Sequence, residues 1–64
     1  MKLKNILTVI PGSQLVSIVV TGETLLDKYE AINVNSQMFS TELEYPIVRI
    51  ETEKEALKIY CWKI

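Results

Sequence analysis

Cysteine and histidine are almost missing from this 64-residue chain, which has one cysteine and no histidine. A lone Cys61 excludes a disulfide within the chain, and a single thiolate without imidazole partners does not make a tetrahedral zinc site. The lack of histidine also removes the commonest general base. Small domains often depend on disulfides, metals or self-association for their stability. We therefore expect this domain to be stabilised by close packing or by association between copies.

Glycine-rich loops and long apolar runs are also missing. The two glycines, Gly12 and Gly22, are isolated turn residues, so the chain has no phosphate-binding loop. The apolar stretch after the basic start runs only from Ile6 to Ile10 before Pro11, which is too short for a secretory leader. No segment has the length of a membrane span. We therefore expect a cytoplasmic protein that does not associate with membranes, and a single free thiol agrees with that compartment.

Neither sign of charge is in large excess, since the chain has seven basic and eight acidic side chains. Proteins that bind nucleic acid normally carry a basic excess or a basic stripe, so nucleic acid is not expected as a partner. The apolar fraction of 48% is ordinary for a folded domain and argues against disorder.

The first half of the chain predicts a helix and two strands. Apolar residues at positions 3, 6, 7 and 10 lie on one helical face, and Pro11 ends the pattern. Residues 15–21 are rich in β-branched side chains and predict a strand, followed by a turn at Gly22 and Glu23. Residues 24–32 fit either a strand or a helix capped by Thr24. The strand is favoured, because a glycine directly after a strong strand suits a hairpin.

The second half predicts a loop over residues 33–36 with Ser36 as a helix cap, and then a short helix whose apolar side holds Met38, Phe39 and Leu43. Pro46 limits this helix. Two strands follow, over residues 47–52 and 56–64, around a charged turn. The last strand alternates, with one face formed by Leu57, Ile59 and Cys61 and the other by Lys58, Tyr60 and Trp62.

This order, helix-strand-strand-helix-strand-strand, predicts a single α+β domain over residues 1–64. Its two halves share a layout and suggest a structural pseudo-repeat. The simplest packing is one four-stranded, mostly antiparallel sheet with both short helices on one face. The expected core consists of Leu3, Ile6, Leu7, Ile10, Val16, Ile18, Val20, Phe39, Leu43, Val48, Ile50, Leu57 and Ile59.

No catalytic, cofactor-binding or metal-ligating residues are expected. The serines have no histidine to activate them, and Cys61 points into the predicted core, where a thiol behaves as a small apolar group. Glu51, Glu53 and Glu55 are interpreted as a charged hairpin tip.

The outer face of the last strand is the candidate interaction surface. It should present Lys58, Tyr60 and Trp62, with Arg49 and Ile47 beside them on the preceding strand. Exposed Trp, Tyr and Arg grouped together are typical of interaction hot spots. The alternative is that Trp62 folds over the sheet as ordinary packing, or that a change of register turns it into the core.

The N-terminal helix Met-Lys-Leu-Lys-Asn-Ile-Leu-Thr-Val-Ile, the strand pair around Gly22, the middle helix and the closing hairpin resemble short uncharacterised α+β proteins of bacteriophages and prophages of Gram-positive bacteria. That resemblance implies an accessory role. Some proteins of this kind inhibit host enzymes or host defence by binding them. It assigns no functional residue.

Three functions remain open at this point. The leading one is a non-enzymatic protein-interaction module, a phage or mobile-element accessory protein that binds an unidentified protein through the outer sheet face. The second is a homodimer formed by the same face, which would bury more apolar area. The third is a weak binder of single-stranded nucleic acid that stacks bases on Tyr60 and Trp62, although the net charge of −1 opposes it.

Overall fold

A computed structural model describes all 64 residues and has one four-stranded sheet with two short helices, which confirms the predicted α+β class. None of its helical segments is long and apolar enough to cross a membrane. In chain order the elements are α1 (Leu3–Leu7), β1 (Leu15–Val20), β2 (Glu23–Glu30), α2 (Ala31–Gln37), a 3₁₀ helix (Glu42–Glu44), β3 (Ile47–Thr52) and β4 (Leu57–Cys61).

The strands lie in the order β2-β1-β4-β3. Each hairpin is antiparallel, and the two hairpins join through a parallel pair, β1 with β4, at the centre of the sheet. The sheet is therefore mixed, with two antiparallel pairs and one parallel pair. The first strand of one hairpin and the second strand of the other are central, so the two halves occupy non-equivalent places. The predicted pseudo-repeat describes the chain order but not the sheet.

The apolar core lies on one face of the sheet. Leu3 of α1 and Val34 of α2 are fully buried against Ile18 of β1 and Ile59 of β4. The complete buried cluster is Leu3, Val16, Ile18, Val20, Leu26, Ala31, Val34, Met38, Ile59 and Cys61. Because the helices share this single cluster, they cover one face of the sheet and leave the other without a helix.

The first hairpin turns one residue earlier than predicted. Val20 pairs with Glu23, so the two loop residues are Thr21 and Gly22, not Gly22 and Glu23. Both have positive φ, 48° and 85°, as a type I′ turn between twisted strands requires. A one-residue displacement moves each following side chain to the opposite face.

Strand β2 is irregular in two places, which the alternating pattern does not predict. The pairing of Val16 with Tyr29 and of Ile18 with Leu26 leaves two residues, Asp27 and Lys28, opposite Ser17. Lys28 has a left-handed backbone with φ of 59°. Leu26 is the only buried residue of this strand, so the strand does not alternate between a buried and an exposed face.

The second helix begins five residues before the predicted cap. Residues 33–36 lie inside α2 and not in a loop, and Ser36 donates its hydroxyl hydrogen to the carbonyl oxygen of Asn33, 2.8 Å away. Ala31 and Val34 are both buried, three residues apart on one face. Burial of this face overrides the weak helix propensity of the Asn and Ser residues around it. The predicted helix near Leu43 is reduced to the 3₁₀ helix.

Three predicted core residues are exposed. Phe39 lies between α2 and the 3₁₀ helix with 77% of its surface exposed. Val48 lies where the β3–β4 register shifts and is 59% exposed, and Ile50 lies on an edge strand and is 40% exposed. The larger part of the predicted core is correct.

Two ion pairs connect the N-terminal segment to the 3₁₀ helix. Lys2 Nζ lies 2.8 Å from one carboxylate oxygen of Glu44, and Lys4 pairs with the other. The Leu3 N–H donates to the Tyr45 carbonyl oxygen at 2.9 Å. Hydrogen bonds from the two lysines lower the pKa of Glu44 from 4.5 to about 2.

Replacing Ser17 with alanine is expected to destabilise the fold. The Ser17 hydroxyl donates to Asp27 Oδ1 at 3.0 Å and accepts the Lys28 N–H at 3.1 Å, and Ser17 is only 2% exposed. Loss of the acceptor leaves the Lys28 N–H unpaired, which costs about 1–3 kcal/mol. Urea unfolding measures the change. The matched variant Ser36→Ala, whose hydroxyl bond is exposed, should change stability by less than about 0.5 kcal/mol; equal losses would contradict the assignment.

The ion pairs of Glu44 predict a pH dependence. Because its folded pKa is depressed to about 2, the unfolded chain binds this proton first as the pH falls. The stabilisation is therefore present above pH 4.5 and is lost as the pH falls toward 2. Urea unfolding between these limits should show a shallower acid dependence for Glu44→Gln than for the wild type. Glu55→Gln, which changes an exposed acid outside the ion pairs, should keep the wild-type slope.

Candidate interaction face

Four side chains meet on the face of the sheet that the helices do not cover. The Arg49 guanidinium carbon lies 4.2 Å from the centroid of the Tyr60 ring, and the Lys58 ammonium nitrogen lies 5.6 Å from it. The Tyr60 hydroxyl donates to Glu51 Oε1 at 2.9 Å, and Arg49 Nε lies 3.4 Å from Glu51 Oε2. We call Arg49, Glu51, Lys58 and Tyr60 the Tyr60 cluster.

Strand pairing explains why these residues meet. Arg49 pairs with Tyr60 and Glu51 pairs with Lys58 across the β3–β4 hairpin, and directly paired residues project from the same face. The structure thus brings Arg49, Lys58 and Tyr60 together, and their role in binding stays a prediction. The ring has a cation on its π-face and a carboxylate on its hydroxyl, an arrangement that restricts its rotamers.

The central strand β1 supplies two buried residues, Val19 and Ser17, to this face. Val19 is paired with Tyr60 and Ser17 with Lys58 in the parallel ladder. Val19 is 4% exposed and Ser17 is 2% exposed, although no helix lies above them. Long side chains from the neighbouring strands therefore cover these two residues. Together with the core on the opposite face, this accounts for the buried state of every residue of β1 after Leu15.

Trp62 lies just beyond the last residue of β4 and is 58% exposed. The backbone N–H of Trp62 donates to the Pro46 carbonyl oxygen at 3.0 Å. The backbone N–H of the next residue, Lys63, donates to Thr21 Oγ1 at 3.0 Å. The backbone around Trp62 is thus held from two sides. Because this backbone is already held, binding through the indole would require ordering of the side chain alone.

Ile47 is predicted to lie beside Arg49 on the outer face, and this prediction is wrong. The register shifts between these two residues, so Ile47 pairs with Cys61 and packs against the core cluster. The extra residue at the shift, Val48, returns the following side chains to the predicted faces. An irregularity of this kind has no marker in the residue pattern.

Glu51 is predicted only as part of a charged hairpin tip, but the structure places it in the Tyr60 cluster. Its position two residues after Arg49 on the same strand puts both on one face, and that spacing is the signal that could have revealed it. No three Cys, Asp or Glu side chains lie close enough together to hold a metal ion.

Two other polar groups have structural roles. Ser17 has a carboxylate partner, Asp27, but the serine is buried and its hydroxyl also accepts the Lys28 N–H. Cys61 faces the core as predicted and is 2% exposed. Desolvation raises the pKa of its thiol from 9.0 to about 11.

No family model, curated protein or solved structure matches this chain.

The buried thiol predicts slow chemical labelling. With a pKa of about 11, the Cys61 thiolate is scarce near neutral pH, and only thiolate reacts with disulfide reagents. Ellman's reagent should therefore label the folded protein slowly and the urea-unfolded protein quickly. Stability should also fall as the pH rises from 9.0 toward 11, because the unfolded chain loses this proton first. Rapid, complete labelling of the folded protein would contradict the buried position.

Proposed function

We propose that this chain is a non-enzymatic protein-binding module that recognises a protein partner through the Tyr60 cluster and Trp62. The observation that supports the proposal best is the Tyr60 cluster itself, an aromatic ring with two cations on a sheet face that no helix covers. Trp, Tyr and Arg are the residues most enriched in interaction hot spots.

The charges on this face suggest the chemistry of the partner. Arg49 and Lys58 place two positive charges beside the ring, and Glu51 supplies one negative charge. The indole of Trp62, two residues beyond Tyr60 in the chain, is exposed and offers further apolar area. A complementary surface would offer an apolar side chain for the rings and carboxylates for the two cations. Complementary charge of this kind raises association rates and selects against wrong partners.

The resemblance to phage and prophage proteins indicates which partners to test first. Accessory proteins of this size include inhibitors that bind host enzymes or host defence proteins. A host protein with an acidic and partly apolar surface therefore fits both the resemblance and the charges of the Tyr60 cluster.

Trp62→Ala is expected to abolish partner binding and to leave the fold intact. The side chain lies outside β4 and is 58% exposed, whereas truncation of a hot-spot aromatic costs at least about 2 kcal/mol of binding energy. The measurement is affinity capture of the partner, followed by calorimetric titration of the purified pair. Circular dichroism and urea unfolding report the fold.

Phe39→Ala is the matched control, because Phe39 is also an exposed aromatic residue but lies between α2 and the 3₁₀ helix. It should retain the wild-type affinity. If Trp62→Ala unfolds the protein, Trp62 is a packing residue and the proposal is wrong. Equal affinities for the wild type and Trp62→Ala would also overturn it.

A further inference from the structure

The outer edge of β3 is the longest exposed edge segment with a regular register in the sheet. β3 is the last strand in the sheet order, and its residues from Val48 to Thr52 are all exposed. Only the start of this edge is covered, since the Ile47 N–H donates to the Met1 carbonyl oxygen and Lys2 forms a bridge with Pro46. The rest of the strand presents backbone groups that can pair with another strand.

The opposite edge of the sheet is less suited to pairing. β2 has two register shifts and a left-handed residue, Lys28, and it carries the acidic residues Glu23, Asp27 and Glu30. An interrupted register discourages edge-to-edge pairing, and acidic residues of two copies placed opposite each other would repel.

The free hydrogen-bonding groups of β3 can be assigned from its pairing with β4. The Glu53 N–H donates to the Ala56 carbonyl oxygen across the hairpin at 2.8 Å. Backbone groups of successive residues point to opposite edges, and the register from Arg49 to Thr52 is unbroken. Glu51 and Arg49 therefore bond toward β4, and the N–H and C=O of Ile50 and Thr52 point away from the sheet.

From this edge we infer that two copies of the chain pair through antiparallel β3 strands about a twofold axis at Ile50. Ile50 then lies opposite the partner's Ile50, and each exchanges both of its free backbone groups with the other, as a hydrogen-bonded antiparallel pair requires. Two four-stranded sheets become one continuous sheet. The partly exposed Ile50 side chains, 40% exposed in the single chain, contact each other across the axis.

Charge complementarity selects this register. With the axis at Ile50, Arg49 lies opposite the partner's Glu51 and Glu51 lies opposite the partner's Arg49, so that two opposite-charge pairs form. An axis at Glu51 would set two glutamates against each other, and an axis at Arg49 would set two arginines against each other. Like charges directly opposite are destabilising in antiparallel pairs. The segment Arg49-Ile50-Glu51 is therefore complementary to itself in one antiparallel register.

Closure limits the assembly to a dimer. The contact is isologous, because the same residues of both chains meet about the axis. Each chain has only one β3 edge, and the β2 edges stay at the two ends. Pairing along one strand buries less area than a standard protein interface, so we expect a dimer that dissociates on dilution.

Sedimentation velocity over a range of concentrations, up to millimolar, tests the dimer. The wild type should show a monomer–dimer equilibrium. Arg49→Glu and Glu51→Arg should each weaken self-association by about tenfold or more, because two opposite-charge pairs become two like-charge pairs. An equimolar mixture of the two variants should associate with the wild-type affinity, since both cross-strand pairs then have opposite charges again. Circular dichroism checks that each variant is folded.

Amide hydrogen exchange gives a second readout that does not depend on charge. The Ile50 amide should be protected in the concentrated wild type and exposed in the Arg49→Glu variant. The Glu51 amide, which bonds toward β4, should be protected in both. Trp62→Ala should still dimerise, so that failure of the edge contact is distinguishable from failure of the proposed partner-binding face. A wild type that stays monomeric at millimolar concentration, or a variant mixture that stays monomeric, would overturn the inference.

Discussion

The parallel pairing of β1 with β4 is the constraint on which the rest of this structure depends. It joins the two hairpins into one sheet and makes β1 and β4 its central strands. Ile18 and Ile59 are paired there and are fully buried beneath the helices. On the other face the same ladder pairs Val19 with Tyr60, so the apolar core and the Tyr60 cluster are built on the two sides of one strand pair. A parallel pair cannot come from a short turn, and the whole middle segment of the chain serves as its connection.

Periodicity predicts the elements of this chain better than it predicts their boundaries. The last strand alternates without interruption, and from it the inward position of Cys61 and the outward position of Tyr60 follow correctly. The predicted strand over residues 24–32 is confirmed for most of its length. The strand order could not be predicted, because the alternation within each strand is the same whichever neighbour it pairs with.

The errors within the strands have a common physical cause. One extra residue in a strand turns the side chains that follow it to the opposite face of the sheet. Irregular pairing at Asp27 and Lys28 and at Val48 shifts which side chains are buried, and it follows from the fit between strands, not from local preference. The Ser17 hydroxyl stabilises the first irregularity by accepting the Lys28 N–H. In α2, Asn33, Asn35 and Ser36 favour a loop locally, but burial of Ala31 and Val34 decides the conformation. Local signals are weakest where tertiary contacts supply the stabilisation.

The proposed binding face and the proposed dimer share Arg49 and Glu51, and this sharing has a geometric consequence. In the paired sheet the two Tyr60 clusters lie on the same side, because directly opposed residues of β3 project from one face. A dimer would then present two copies of the face to a partner. Two linked sites can raise the apparent affinity for a symmetric or repeated target far above that of one site, without any new contact. Since Arg49 would contact its own Tyr60 and also the partner's Glu51, dimer formation would further restrict the guanidinium that lies over the ring. The same contact would neutralise one of the two cations that the face offers to a partner's carboxylates, so that self-association and partner binding would be coupled through Arg49.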